Sequence, residues 1–150
     1  MANGTNGPVV FAYDGSDLAK AAIAEAGRQL RAGRQALVLT VWQPFNVGFV
    51  TARELKLDAA AADEVRAAAE QAATQGASLA QAAGFESRSM AREAATTWKG
   101  IVQVADDQDS SLIVLGSHGR SGLADVLIGS VAEAVAAHSR RPVLIVHRGD

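Results

Sequence analysis

Short runs of branched aliphatic residues alternate along this chain with longer, alanine-rich polar segments. Residues 9–13 (VVFAY), 36–42 (ALVLTVW), 112–115 (LIVL) and 142–146 (PVLIV) are nearly unbroken apolar runs, the texture of strands covered on both faces. Residues 85–91 (FESRSMA) instead alternate with polar side chains, which predicts an exposed edge strand. Four segments between these runs read as helices. The first runs from Asp17 to about Ala32, capped by Ser16 or Asp14 and stopped by Gly33, with Ala22, Ile23, Ala26 and Leu30 on its apolar face. A long second helix opens at Asp58 or Asp63 and closes near Gly84, with a predicted sheet-facing stripe of Ala61, Val65, Ala68, Ala72 and Leu79. The third starts at Thr96 or Thr97 and carries Ile101, Val104 and Ala105; the fourth runs from Gly129-Ser130 to about Ser139.

The order βαβαβαβαβ with right-handed crossovers predicts a doubly wound, five-stranded parallel sheet with helices on both faces, in strand order 3-2-1-4-5. Ligands of such Rossmann-like sheets bind beyond the carboxyl ends of the strands, where the winding reverses. That directs attention to the loops beginning at Asp14, at Trp42-Gln43 and at Gly116. The connection over 43–57 is long for such a unit and is read either as a lid or as an irregular surface loop.

Composition narrows the class. A chain of 150 residues suits one domain of the usual ~100–200 residues, here 8–150 after a flexible start over 1–7. With 14 Lys+Arg against 16 Asp+Glu the net charge is −2, so no basic surplus exists to seek a nucleic-acid backbone or an anionic membrane. The absence of cysteine removes disulfides, thiolate metal sites and cysteine nucleophiles, and fits a reducing compartment. No secretory signal begins the chain and no window is long and apolar enough for a membrane span, so a cytoplasmic protein is expected. Alanine, at 32 residues, and glycine, at 14, imply thin helices packed close to the sheet.

The chemistry concentrates in GSHGRSGLADVLIGSVAEAV, residues 116–135, directly after the fourth strand. Glycines at a strand-to-helix turn allow positive φ and remove β-carbons, so that backbone N–H groups converge on an anion. The free N–H groups and positive dipole end of the fourth helix add a second anion site at Ser130 and Val131. Ser130 reads as a phosphate contact or an N-cap, Arg120 as a phosphate ligand or a solvated charge, and Asp14 as a helix cap, a ligand contact, or both. No G-x4-G-K-[ST] run exists, which excludes a P-loop NTPase. The first strand is followed by DGSDLA, which matches neither the dinucleotide fingerprint nor a flavodoxin phosphate loop. A response-regulator receiver would need an Asp ending the third strand, where Met90, Ala91 and Arg92 stand. His118, His138 and His147 have no metal-ligand spacing; His138 and His147 read as surface residues, and Trp98 and Trp42 as packing groups, Trp42 being close enough to Val41 to border a ligand.

The pattern Gly116-x2-Gly119-x9-Gly129-Ser130, with GSHGRSG, IGSVAEAV, RPVLIV and the opening YDGS, resembles the universal stress protein family in its ATP-binding branch. The resemblance covers residues 8–147 and implies an adenine-nucleotide site. It sets Asp14 near the ribose, Val41 against the adenine through its backbone, and Gly116, Gly119, Gly129, Ser130 and Val131 along the phosphates, with His118 and Arg120 in or over the pocket. Two departures from the family pattern, Ser111 before the fourth strand and Ala94-Ala95 before the third helix, touch local packing rather than the phosphate loop. A bound triphosphate then calls for Mg²⁺ or Mn²⁺ held mainly by phosphates and water. Fast hydrolysis needs a placed base, for which Asp14 and Asp125 are the candidates, so binding with little turnover is the leading expectation. The rivals are a slow ATPase or autophosphorylating enzyme, and an interaction protein holding AMP or another adenine nucleotide. The resemblance places the fifth strand, Val143 to Val146, at a sheet edge, and an apolar edge there predicts a homodimer.

Overall fold

The computed structural model of the chain describes residues 7–43, 52–119 and 128–148, with the side chains of 52–59 left aside. The expectations for 1–6 and for Arg120 and Asp125, and most of the loop expected over 43–57, lie outside the described residues. Nine elements follow in order: β1 (Val9–Ala12), α1 (Asp17–Gln29), β2 (Gln35–Trp42), α2 (Ala52–Ala82), β3 (Glu86–Glu93), α3 (Thr97–Asp107), β4 (Leu112–Gly116), α4 (Ser130–His138) and β5 (Val143–Val146). All strand pairings are parallel and the order is β3-β2-β1-β4-β5, as the alternation of runs predicts.

Side chains alternating across the central strands feed two cores. Val9, Phe11, Val38 and Val114 meet Ala19, Ala22, Ile23 and Ala26 of α1 and Ala80 of α2 on one face. Val10, Leu37, Leu39, Ile113 and Leu115 meet Ile101, Val104 and Ala105 of α3 and Ala132 and Val135 of α4 on the other. Buried aliphatic area on both faces is the main stabilising term, at roughly 25 cal/mol per Å².

Three local expectations need correction. α1 stops at Gln29, three residues early, because Leu30 is already extended and Gly33, at φ 88°, turns the chain so that its N–H bonds Gly84 O at 2.8 Å. α2 begins at Ala52, before either acidic residue proposed to open it. Its buried stripe is also rotated: Ala69, Ala73, Gly76 and Ala80 face the sheet, while Val65 and Leu79 stay exposed. The reason is distance. A β-carbon on Gly76 would stand 2.6 Å from Val38 Cγ1 and 2.9 Å from the Tyr13 ring, so only the smallest residues fit between helix and sheet. A pattern weighted by hydrophobicity picks the large aliphatics; the close approach picks the small ones.

The amino ends of the strands are closed by polar contacts. Ser111 Oγ donates to Gly7 O at 2.7 Å and accepts from Arg34, so the residue that departs from the family pattern ties three segments together. Arg141, just before β5, donates to Asp106 Oδ1 at 3.2 Å in the last turn of α3 and to Asp109 Oδ1 at 2.7 Å just beyond it.

Candidate nucleotide site

At the carboxyl end of the sheet, β1 and β4 diverge to α-helices on opposite faces, and the crevice between them opens into a cavity of about 330 Å³. Its size is at the lower end of the ~300–1,000 Å³ common for small-molecule sites. Ala12, Tyr13 and Asp14 enter it from β1, Leu39 and Val41 from β2, and Leu115 through Gly119 from β4. Gly129, Ser130, Val131 and Ala132 supply the start of α4, and Thr97 and Ile101 one turn of α3.

Of the nine residues singled out from sequence, eight line this cavity: Asp14, Val41, Gly116, His118, Gly119, Gly129, Ser130 and Val131. Trp42 is not among the lining residues.

Each described glycine of the loop has a steric reason. None of Gly116, Gly119 and Gly129 has positive φ, contrary to the expectation that they supply left-handed backbone; those positions are Gly15, Gly33 and Gly84. What they supply is the missing β-carbon. On Gly116 it would stand 2.8 Å from Leu18 Cγ of α1, on Gly119 2.7 Å from Asp14 Oδ2, and on Gly129 3.0 Å from Ser117 O. The described parts of the loop, 116–119 and 129, therefore approach α1, the first loop and each other closely.

Ser117 is the knot of the arrangement. It is buried, its N–H donates to Val146 O of β5 at 2.8 Å, and its carbonyl accepts from Gly129 N–H at 2.6 Å. Its hydroxyl lies 3.1 Å from His118 Nδ1. His118 Nε2 is buried and has no hydrogen-bond partner among the described residues. Gly129, not Ser130, is the N-cap of α4, and it provides no side-chain cap. Glu133 N–H, bonded to Gly129 O at 3.0 Å, begins the intrahelical ladder, so the N–H groups of Ser130, Val131 and Ala132 are those a helix start leaves for an outside acceptor. They lie at the cavity wall with the positive end of the helix dipole. Asp14 Oδ1 accepts from Ser16 N–H at 2.9 Å, while Ser16 Oγ caps α1 through Ala19 N–H, so Asp14 orders the loop and Ser16 caps the helix.

The lining is apolar through Ala12, Leu39, Val41, Ile101 and Leu115, and polar through the backbone after β4 and at the start of α4, the hydroxyls of Ser117 and Ser130, and the His118 imidazole. Such a division suits a flat heterocycle attached to an anionic group. Among the described residues no group of three or more His, Asp or Glu side chains is placed to hold a metal ion. Nor is any described helix long and apolar enough to cross a membrane.

A family model of the universal stress proteins matches residues 5–147. The chain belongs to that family. Universal stress protein MJ0577 of Methanocaldococcus jannaschii is 46% identical over 45 residues, which span 30% of this chain and 28% of that relative. Universal stress protein Rv2623 of Mycobacterium tuberculosis is 45% identical over 42 residues, 28% of this chain and 14% of its own length. The matched segments thus span well under a third of these two relatives. The solved structure of MJ0577 shares the fold, with a TM-score of 0.79 at 23% identity over 97% of this chain and 99% of that one. A universal stress protein solved in complex with cAMP aligns with a TM-score of 0.62 at 28% identity, covering 97% of this chain and 99% of that one. One from Archaeoglobus fulgidus in complex with dAMP gives 0.62 at 23% identity, over 94% and 98%.

Eight further residues line the cavity without having been singled out from sequence: six come from the strands, from the loops after β1 and β4 or from the start of α4, whereas Thr97 and Ile101 come from α3, an element that reading the strand-end loops misses altogether. The signal was available in the topology: the β3-to-β4 crossover must carry α3 over β2 and β1, bringing its first turn to their carboxyl ends.

Proposed function

We propose that this universal stress protein binds ATP and acts as a nucleotide-dependent regulator or sensor of the stress response, with little or no turnover. The observation that carries the reading is the meeting of Asp14 and Val41 with Gly119, Gly129, Ser130 and Val131 around one cavity at the winding reversal. In this reading Val41 and the apolar lining take the adenine, Asp14 takes the ribose, and the α4 N–H groups with Gly116 and Gly119 take the phosphates. His118 and Arg120 add side-chain contacts. Mg²⁺ or Mn²⁺ accompanies a triphosphate, held by its phosphates and water, since an acidic chain needs more positive charge at the phosphates than backbone dipoles give.

Low turnover follows from the demands of hydrolysis, an in-line water and a positioned base. Asp14, the described candidate, already has Oδ1 engaged by Ser16 N–H. A second reading, a site for an adenine mononucleotide, is favoured by the cAMP and dAMP that related proteins hold. A third, slow hydrolysis or autophosphorylation, uses the same residues. The proposed working form is a cytoplasmic homodimer joined through β5, which stands at the edge of the sheet and lines an open groove together with Leu30 and Leu112.

Thermal or urea unfolding with and without ligand tests the binding claim. ATP with Mg²⁺ at a hundred times its dissociation constant is expected to stabilise the protein by about 2.7 kcal/mol. No stabilisation by ATP would overturn it; stabilisation by AMP or cAMP alone would favour the mononucleotide reading.

A further inference from the structure

Gly100 is buried, four residues into α3, and does not line the cavity. A glycine inside a helix is less favourable than alanine, and Gly100 has no positive φ to require it. Its surroundings do. A β-carbon there would stand 2.9 Å from Val41 Cγ1, 3.0 Å from Val41 Cγ2 and 2.9 Å from Ala94 Cβ. Gly100 is thus the point at which α3 rests on the carboxyl end of β2, and the residues around it on the helix, Thr97 and Ile101, form the cavity wall together with Val41. Thr97 Oγ1 also accepts from Gln43 Nε2 at 3.3 Å, a second tie between the start of α3 and the end of β2.

We infer that Gly100 is a positioning residue for the heterocycle part of the site: by lacking a side chain it sets the spacing between Val41 and the Thr97–Ile101 turn. The inference rests on the reading that this cavity takes an adenine nucleotide. Packed interiors respond to an added methyl group by shifting side chains or backbone, and the atoms in its way are those of Val41 and Ala94. The phosphate loop is built from β4 and α4, so the ligand's recognition through its base and ribose carries the effect. Adenosine, which has no phosphate, is therefore the probe.

The test compares adenosine affinity and thermal midpoint for the full chain, for Gly100→Ala, for the double variant Ala94→Gly/Gly100→Ala, and for Gly27→Ala. Gly27 is as crowded as Gly100, with a β-carbon 2.8 Å from Ala83 O, but packs α1 against the end of α2, away from the cavity. The double variant moves the methyl group from Ala94 to Gly100, restoring packing volume between them and leaving the collision with Val41. The expected result is a loss of adenosine affinity of about tenfold in both Gly100 variants, with stability largely regained in the double variant, and a change within about twofold in Gly27→Ala. Adenosine affinity in the double variant within twofold of the parent, or an equal loss in Gly27→Ala, would overturn the inference while leaving nucleotide binding intact. A parent protein that binds neither adenosine nor ATP would overturn both.

Discussion

Gly119 leaves open the space beside the Asp14 carboxylate: a β-carbon on it would stand 2.7 Å from Asp14 Oδ2. The two residues belong to loops after β4 and β1, more than a hundred positions apart in the chain, and they meet where the sheet's winding reverses. Gly119 itself is exposed, so a methyl group there disturbs the carboxylate more than the core. Gly119→Ala is expected to lower ATP affinity by about tenfold, equivalent to about 1.4 kcal/mol, with a urea midpoint close to the parent's. Adding it to Asp14→Ala should cost little more, because the two act on one contact. Calorimetric titration of the four proteins checks this, and additive losses would contradict it.

Gly116 predicts the opposite split. Its β-carbon would meet Leu18 Cγ of α1 at 2.8 Å, in the core rather than at the loop surface. Gly116→Ala is therefore expected to destabilise the fold by about 1–3 kcal/mol through overpacking. Urea unfolding followed by circular dichroism measures it, and Leu18→Ala in the same chain should relieve part of the strain.

Chelation separates the parts of the proposed ligand. If the divalent ion is held by the phosphates, excess EDTA should weaken ATP binding by roughly tenfold or more and leave adenosine binding unchanged. Equal weakening of both would point to a metal bound by the protein itself.

The edge strand offers a test of assembly. Leu144 is half-buried and borders the groove beside α1. Light scattering is expected to give twice the 15.5 kDa chain mass for the parent protein, and Leu144→Lys to return the monomer mass. A parent protein running as a monomer would count against the β5 dimer.

Arg141 ties the entry of β5 to the end of α3, and its hydrogen bond with Asp109 holds its guanidinium pKa above the ordinary value. The pair is near the surface, with 52% of the Asp109 side chain exposed, so its energy is modest. Arg141→Ala should cost about 1 kcal/mol at low ionic strength, and the difference should shrink in high salt. A salt-independent loss would mean that packing of the arginine stem, not charge, dominates.

How far the sequence carries the structure can be seen at single positions. The runs at 36–42 and 112–115 are covered on both faces, and burial on both faces writes a continuous apolar signal that reads directly as parallel strands. The same reading shifts α2's buried stripe onto Val65 and Leu79, because the contact of Gly76 with Val38 selects for absence of volume, which hydropathy does not register. At the cavity, loop glycines stand out by spacing, so Gly119 and Gly129 could be named in advance. Their reason could not: positive φ is a local property readable as an expectation, whereas proximity to Asp14 or Ser117 depends on the folded chain. Thr97 and Gly100 carry no motif at all, and gain their roles only from where the β3-to-β4 crossover lays α3.

The hydrogen bond from Ser117 N–H to Val146 O hangs part of the cavity wall on β5, a strand that contributes none of the residues lining it. Loosening the β4–β5 pairing therefore reaches the site without altering a single lining side chain, by withdrawing the acceptor that anchors Ser117. A disturbance at that edge is thereby passed to the segment carrying His118 and Gly119 through one backbone hydrogen bond.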